Sequence, residues 1–229
     1  MKISYRLVII VAVFVTCLIT ANIIAVKIVA LGTYLLPAAV FVFPLSYLFG
    51  DVLTEVYGYS TARKVIWLGF ACNLLFVFFA WVGQVLPPAG FWASEQPAYT
   101  AILGYTPRLL LASFSAYLVG EFVNSYVLAR MKIMTNGRWL WTRTIGSTVA
   151  GQALDTVIFI TIAFVGTTAF SGTLILDHWV AKVGIEAVLT PVTYAVVNTL
   201  KRKEGIDTYD TATSFNPFGI LDREQGVGK

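Results

Sequence analysis

The sequence predicts an all-α integral membrane protein with six transmembrane helices. Three observations carry that prediction. Hydrophobic residues make up 58% of the 229-residue chain against 12% charged, and the mean hydropathy is +0.78, a balance foreign to soluble domains. Six continuous apolar stretches are each long enough for a hydrocarbon core of about 30 Å, which takes about 20 helical residues. Finally, 13 of the 16 Lys and Arg residues fall on one side of the alternation those stretches impose.

The first span is expected over 7–30. It follows Lys2 and Arg6 as a signal peptide would, but it is too long for a signal h-region and lacks a small-residue cleavage site, so it is read as part of the mature chain. The second, over 35–56, is interrupted by Pro37 and Pro44 and carries Gly50, Asp51 and Glu55 in its inner half. A kink or an early end is expected there. The third and fourth spans, 65–86 and 108–129, flank an outer stretch whose Trp92 and Tyr99 suit an interfacial cap. The fifth covers 144–165 and the sixth 179–200. A strand barrel would need short segments of alternating polarity, and these runs are continuous and rich in Leu, Val, Ile and Phe. One six-helix domain, 1–203, is therefore expected, followed by a tail over 204–229.

The basic residues orient this bundle. Lys2 and Arg6 precede the first span, Arg63 and Lys64 lie between the second and third, and Arg130, Lys132, Arg138 and Arg143 between the fourth and fifth. Lys201, Arg202 and Lys203 close the sixth, with Arg223 and Lys229 beyond. Only Lys27, Arg108 and Lys182 lie towards the other side, so both termini and the tail are expected in the cytoplasm. The net charge of +4 and the pI near 9.1 follow from this asymmetry. They point to the lipid bilayer as partner and not to nucleic acid. Cys17 and Cys72 fall inside spans and read as buried small residues. His178 lies between Asp177 and Trp179 at the outer interface, and a single His without a thiolate cluster argues against a metal site. No cofactor is implied.

Polar residues inside the spans carry the functional argument. Asp155 sits near the middle of the fifth span, where an ionisable group costs roughly 2.5 kcal/mol or more and usually faces a partner or a water-filled path. Gln152 is on the same face, and Gly151 there lets another backbone come close. On the fourth span Tyr117, Glu121 and Asn124 follow helical spacing, with Ser113 extending the stripe outward. The first span adds Asn22 and the sixth adds Glu186. Glu121 and Asp155 could alternatively be neutralised acids that hold helices together, but intramembrane acids default to function. Candidate substrate-binding residues are thus Asn22, Tyr117, Glu121, Asn124, Gln152 and Asp155, with Phe43, Tyr47 and Phe159 available to cover an aromatic face. Asp51, Glu55 and Glu186 are candidates for gating or coupling. Asp51 and Glu55 either gate the cytoplasmic side by pairing with Arg63 or Arg143 or are solvated helix-end charges, while Lys182 and Glu186 have the spacing of an i, i+4 ion pair. The cost of burying a carboxylate also makes Asp155 or Glu121 the expected carrier of a proton in a transport cycle. The chain shows neither a catalytic constellation nor a Walker motif, so it is read as a transporter rather than an enzyme.

The run Gly50-Asp51-Val52-Leu53-Thr54-Glu55-Val56-Tyr57-Gly58-Tyr59, followed by Arg63, resembles the signature of the queuosine precursor transporters, a branch of the vitamin-uptake group. Gly120-Glu121-Phe122-Val123-Asn124-Ser125, Arg143-Thr144-Ile145-Gly146-Ser147-Thr148, Gly151-Gln152-Ala153-Leu154-Asp155-Thr156 and Phe215-Asn216-Pro217-Phe218 fit the same resemblance. It implies an inner-membrane importer of 7-cyano- or 7-aminomethyl-7-deazaguanine, serving salvage for tRNA modification, with a fold similar to the substrate-binding subunits of energy-coupling-factor transporters. Uptake driven by a gradient, or downhill exchange with metabolic trapping, is the simplest mechanism. A transporter for another vitamin or nucleobase, dependence on an ATP-driven module, and a homo-oligomer all stay open.

Overall fold

The computed structural model describes residues 4–31, 34–104, 107–167 and 170–219. Six helical segments among them are long and apolar enough to cross a membrane, and the chain is a multi-pass helical membrane protein. Helix α1 covers Tyr5–Ile24, and the Ser4 hydroxyl accepts the Arg6 N–H at its start. It stops short of the expected position 30. The chain turns instead into an antiparallel hairpin of β1 (Ile28–Leu31) and β2 (Tyr34–Pro37), with Ile28 opposite Pro37 and Leu31 opposite Tyr34. A short β-branched run attached to an apolar helix carries no period that separates it from more helix, so the boundary was invisible in the sequence. Lys27 lies exposed in the intervening turn, and its carbonyl accepts the Ala38 N–H at 2.7 Å.

The expected second span, 35–56, is built in three pieces: a 3-10 turn at Ala38–Phe41, helix α2 at Phe43–Val52, and a π-helical turn at Leu53–Tyr57. Pro44 falls in the first turn of α2, where its missing N–H costs nothing and its ring bars continuation from the preceding turn. Gly58, at φ +85°, ends the π turn; a side chain there would collide with Thr208 of the tail. Helix α3 (Tyr59–Val85) then begins earlier than the expected 65, because its first N–H is capped from far along the chain: Asp210 Oδ2 accepts the Tyr59 N–H at 3.0 Å.

Beyond α3, a 3-10 turn at Gly90–Glu95 leads into α4 (Gln96–Leu103), which is pinned back on α3. The Tyr99 hydroxyl donates to the Ala80 carbonyl at 3.0 Å and Gln84 to Thr100 at 2.7 Å. Helices α5 (Pro107–Met134) and α6 (Leu140–Phe164) share the most extensive contact in the molecule. They meet at Gly120 and Gly151, where a Cβ on Gly151 would lie 2.8 Å from both the Asn124 Cβ and the Gly120 carbonyl oxygen. Helix α7 (Gly172–Glu204) is capped by the Ser171 hydroxyl and closed by Gly205 at φ +66°. It starts well before the expected 179, so His178 lies within the helix rather than ahead of it.

Phe14, Leu18, Leu48, Val52, Val65 and Ile66 form the packed centre, whereas Leu74, Leu75, Phe78, Phe79 and Trp81 of α3 point outward as a bilayer-facing surface does. Cys17 and Cys72 are unpaired and partly exposed rather than buried. The start of α1 meets the end of α7, where Arg6 donates to the Lys203 carbonyl at 3.2 Å.

Residues 205–219 lie as a strap across the ends of α2, α3 and α5. Thr208 N–H donates to the Val56 carbonyl at 3.2 Å, Arg63 donates to the carbonyls of Ser214 (3.2 Å) and Asn216 (2.7 Å), and Trp67 donates to that of Pro217 (2.8 Å). The Phe215 ring packs at a tilt against Tyr59, with centroids 5.0 Å apart, under the Arg130 guanidinium.

Candidate functional site

A cavity of about 160 Å³ opens between α1, α2, α3, α5, α6 and α7 in the hairpin-side half of the bundle. Helical periodicity builds its walls. Helix α5 contributes Ser113, Tyr117 and Glu121 from successive turns, α6 contributes Gln152, Asp155 and Phe159, and α7 contributes His178, Lys182 and Glu186. Phe43, Ser46 and Tyr47 come from α2, Asn73 from α3 and Asn22 from α1.

The expected residues divide within this frame. Asn22, Tyr117, Glu121, Gln152 and Asp155 all line the cavity, together with Phe43, Tyr47 and Phe159. Tyr117 presents its ring to it, because its hydroxyl donates to the Ile66 carbonyl at 3.0 Å and fixes α5 on α3. Asn22 donates to the Leu18 carbonyl at 3.2 Å and accepts from Ser113 at 3.4 Å. Asn124 is not among the lining residues: it is wholly buried and donates to Asp51 Oδ1 at 2.7 Å. It and Asp51 form a link between α5 and α2 outside the cavity wall.

Glu186, expected as a gating or coupling group, lines the cavity. The expected Lys182–Glu186 pair gives way to a different one, for Lys182 forms its ion pair with Asp155 across the α6–α7 boundary. Lys182 thereby reaches a carboxylate on another helix. Asn73, His178 and Lys182 were not foreseen as lining residues. Asn73 could have been found as an amide in an otherwise apolar stretch, and His178, Lys182 and Glu186 by their four-residue spacing.

Polar satisfaction gives the cavity its chemical character. Among the described residues, four buried lining atoms have no protein hydrogen-bond partner: Asn73 Oδ1, Glu121 Oε2, Gln152 Oε1 and Glu186 Oε1. The amide oxygens of Asn73 and Gln152 are acceptors, and the carboxyl oxygens of Glu121 and Glu186 accept when they carry no proton. A buried acceptor left unpaired costs about 1–3 kcal/mol, so such a wall favours a guest that brings N–H or O–H donors. The aromatic faces of Phe43, Tyr47 and Phe159 give that guest a flat apolar boundary.

A second polar centre lies at the tail side. Glu55, fully buried in the π turn, takes a bidentate pair from Arg143 of α6, with both contacts at 2.8 Å, and a further contact from Lys201 of α7 at 2.6 Å. Lys132 of α5 stands 3.6 Å from the same carboxylate and donates to the Glu55 carbonyl at 2.6 Å. Lys132 and Lys201 both also hold Asp207 of the strap. Of the two expected partners of Asp51 and Glu55, Arg143 serves Glu55, whereas Arg63 is committed to strap carbonyls. The alternative of solvated helix-end charges is excluded by burial: both Asp51 and Glu55 are inaccessible.

Residues 37–196 match the family described as "Putative vitamin uptake transporter". The chain is 32% identical over 157 residues to a Bacillus subtilis (strain 168) protein named "Probable queuosine precursor transporter", covering 67% of this chain and 68% of that one. It is 30% identical over 124 residues to the "Queuosine precursor transporter" of Escherichia coli (strain K12), covering 54% of this chain and 53% of the relative. A Haemophilus influenzae protein, also named "Probable queuosine precursor transporter", is 25% identical over 170 residues, or 70% of this chain and 68% of its own length. No solved structure matches the chain.

Proposed function

The chain belongs to the vitamin uptake transporter family, and from that premise we propose that it imports a 7-deazaguanine precursor of queuosine across the inner membrane. The observation that carries the substrate class is the set of four unpaired buried acceptors in an aromatic-walled cavity. A 7-deazaguanine presents a ring N–H and an exocyclic amine on one edge and a pyrrole N–H on the other, and its ring carbonyl can accept. Glu121 takes the ring N–H and amine, since one carboxylate can accept both. Gln152, Asn73 and Glu186 take the remaining donors, and Asn22, Tyr117 and Asp155 complete the wall. Asn124 supports the site through Asp51 without touching the ligand. The names of the three relatives agree with this reading.

Transport needs alternate access, and the Glu55 centre supplies the closed side. Glu55 ties α2, α5, α6 and α7 together, and the strap covers it through Asp207. With both termini and the strap on the cytoplasmic side, as the basic residues favour, ligand enters from the hairpin side and leaves after this centre opens. The π turn and Gly58 lie between the α2 residues that line the cavity and the strap, where a local rearrangement moves both. Secondary transport fits a chain without a nucleotide-binding motif. The likeness to energy-coupling-factor subunits rests on the sequence resemblance alone.

Uptake by liposomes containing the purified full chain tests the reading. Labelled 7-cyano- and 7-aminomethyl-7-deazaguanine should enter saturably without ATP, with excess guanine competing, and an imposed pH gradient should raise accumulation. Uptake no greater than in protein-free vesicles, with or without the gradient, would overturn it. Uptake only when an ATP-driven partner is supplied would replace secondary transport by the energised alternative.

A further inference from the structure

We infer that Asp155 and Phe43 form an ammonium subsite in the cavity wall, occupied in the free protein by the Lys182 side chain, which a cationic ligand displaces. The inference rests on the reading of the cavity as a 7-deazaguanine site and goes beyond it by assigning where a charged substituent docks.

The structure itself shows a primary ammonium in that position. Lys182 Nζ is ion-paired with Asp155 and stands 5.8 Å from the centre of the Phe43 ring, so a carboxylate and an aromatic face from two other helices receive it together. All three residues line the cavity. The pair is accessible, with Lys182 24% and Asp155 14% exposed, whereas the Glu55 carboxylate is wholly buried. Lysine is suited to leave such a position. Its charge sits on a flexible four-carbon stem with three rotatable donors, and withdrawing it from the carboxylate does not disturb the helix that bears it.

A ligand carrying a primary ammonium on a short arm therefore competes with Lys182 for the same partners. A neutral ligand of the same ring does not, and it leaves the Asp155–Lys182 pair intact while accepting a hydrogen bond from Lys182 at its substituent. Lys182 is thus a tethered competitor that lowers the affinity for cations without a matching effect on neutral analogues. The carbonyl-bearing ring is held elsewhere, by the acceptors described above, so the two halves of the ligand report on separate parts of the wall.

The test is the ratio of affinities for the aminomethyl and cyano compounds at pH 7, measured by calorimetry on the full chain in detergent. Lys182→Met should raise the aminomethyl-to-cyano ratio at least tenfold by removing the competitor. Asp155→Asn should lower it at least tenfold by removing the carboxylate. Phe43→Leu changes no charge, so it keeps the ion pair and the fold, and should lower the ratio about threefold through the lost ring face. A ratio that stays within twofold of wild type in the Phe43 variant and in whichever charge variants are monodisperse would overturn the subsite, as would charge variants that shift it in the same direction. Binding of both compounds with an unmoved ratio overturns the subsite alone. Failure of wild type to bind either compound removes the reading of the cavity and the subsite with it.

Discussion

Glu55→Gln should lower the stability of the detergent-solubilised protein by about 3–5 kcal/mol, the range seen when a buried ion pair loses one partner. The substitution keeps the shape of the side chain and removes the charge that Arg143, Lys132 and Lys201 share. What remains is three cations, of which only Lys132 and Lys201 keep a carboxylate partner, Asp207, itself 42% exposed. Asp207→Asn should cost less than about 1 kcal/mol for that reason, since solvent screens its contribution. Thermal unfolding of both variants, followed by intrinsic fluorescence, checks the ranking; equal losses would remove Glu55 from its central place. The strap contact also carries a pH dependence. Burial alone would push the Asp207 carboxyl up, but hydrogen bonds from Lys132 and Lys201 outweigh it and hold it below its ordinary value. Its contribution is therefore complete above a pH of about 4, the unfolded value, and is lost as pH falls through the lower folded value.

The second large effect is expected at the cavity. Glu121→Gln should weaken binding of a 7-deazaguanine roughly tenfold to a hundredfold, because hydrogen bonds to a charged group are worth about 1.5–3 kcal/mol and each 1.4 kcal/mol is a factor of ten. The amide fits the same space beside Gly50, where a Cβ would lie 3.1 Å from Glu121 Oε2, so the fold is retained. What changes is chemistry: one acceptor becomes a donor that faces the ligand's own N–H groups. Gln152→Ala should weaken binding less, since it removes a neutral partner. Equal affinities for wild type and Glu121→Gln would take Glu121 out of the recognition wall.

Much of this arrangement is legible in the sequence, and the part that is not has a physical cause. Six spans follow from length and apolarity, and the stripes on α5 and α6 follow from helical period, which is local information. The hairpin at Ile28–Leu31 and Tyr34–Pro37 is hidden by an apolar run that reads equally as helix. Lys182 misleads because spacing offers Glu186 as its partner, whereas packing brings Asp155 closer from another helix. Asn124 lies on the same stripe as Glu121 but one turn nearer the tail side, where Asp51 claims its amide. The strap is the least legible element. Its polar sequence reads as a solvated tail, and its order comes from Tyr59, Arg63 and Trp67, more than a hundred residues away in the chain.

In the proposed mode of recognition, buried acceptors read the donor edge of a flat heterocycle. A site built to hydrogen-bond a donor rejects the analogue lacking it far more strongly than an apolar pocket does, because its polar atoms are left unpaired. The direct measurement is calorimetric titration of the purified chain with 7-cyano-7-deazaguanine and with the same compound carrying hydrogen in place of the 2-amino group. The amino compound should bind at least tenfold more tightly, and that preference should shrink in Glu121→Gln. Equal affinity for the two compounds in wild type would contradict it.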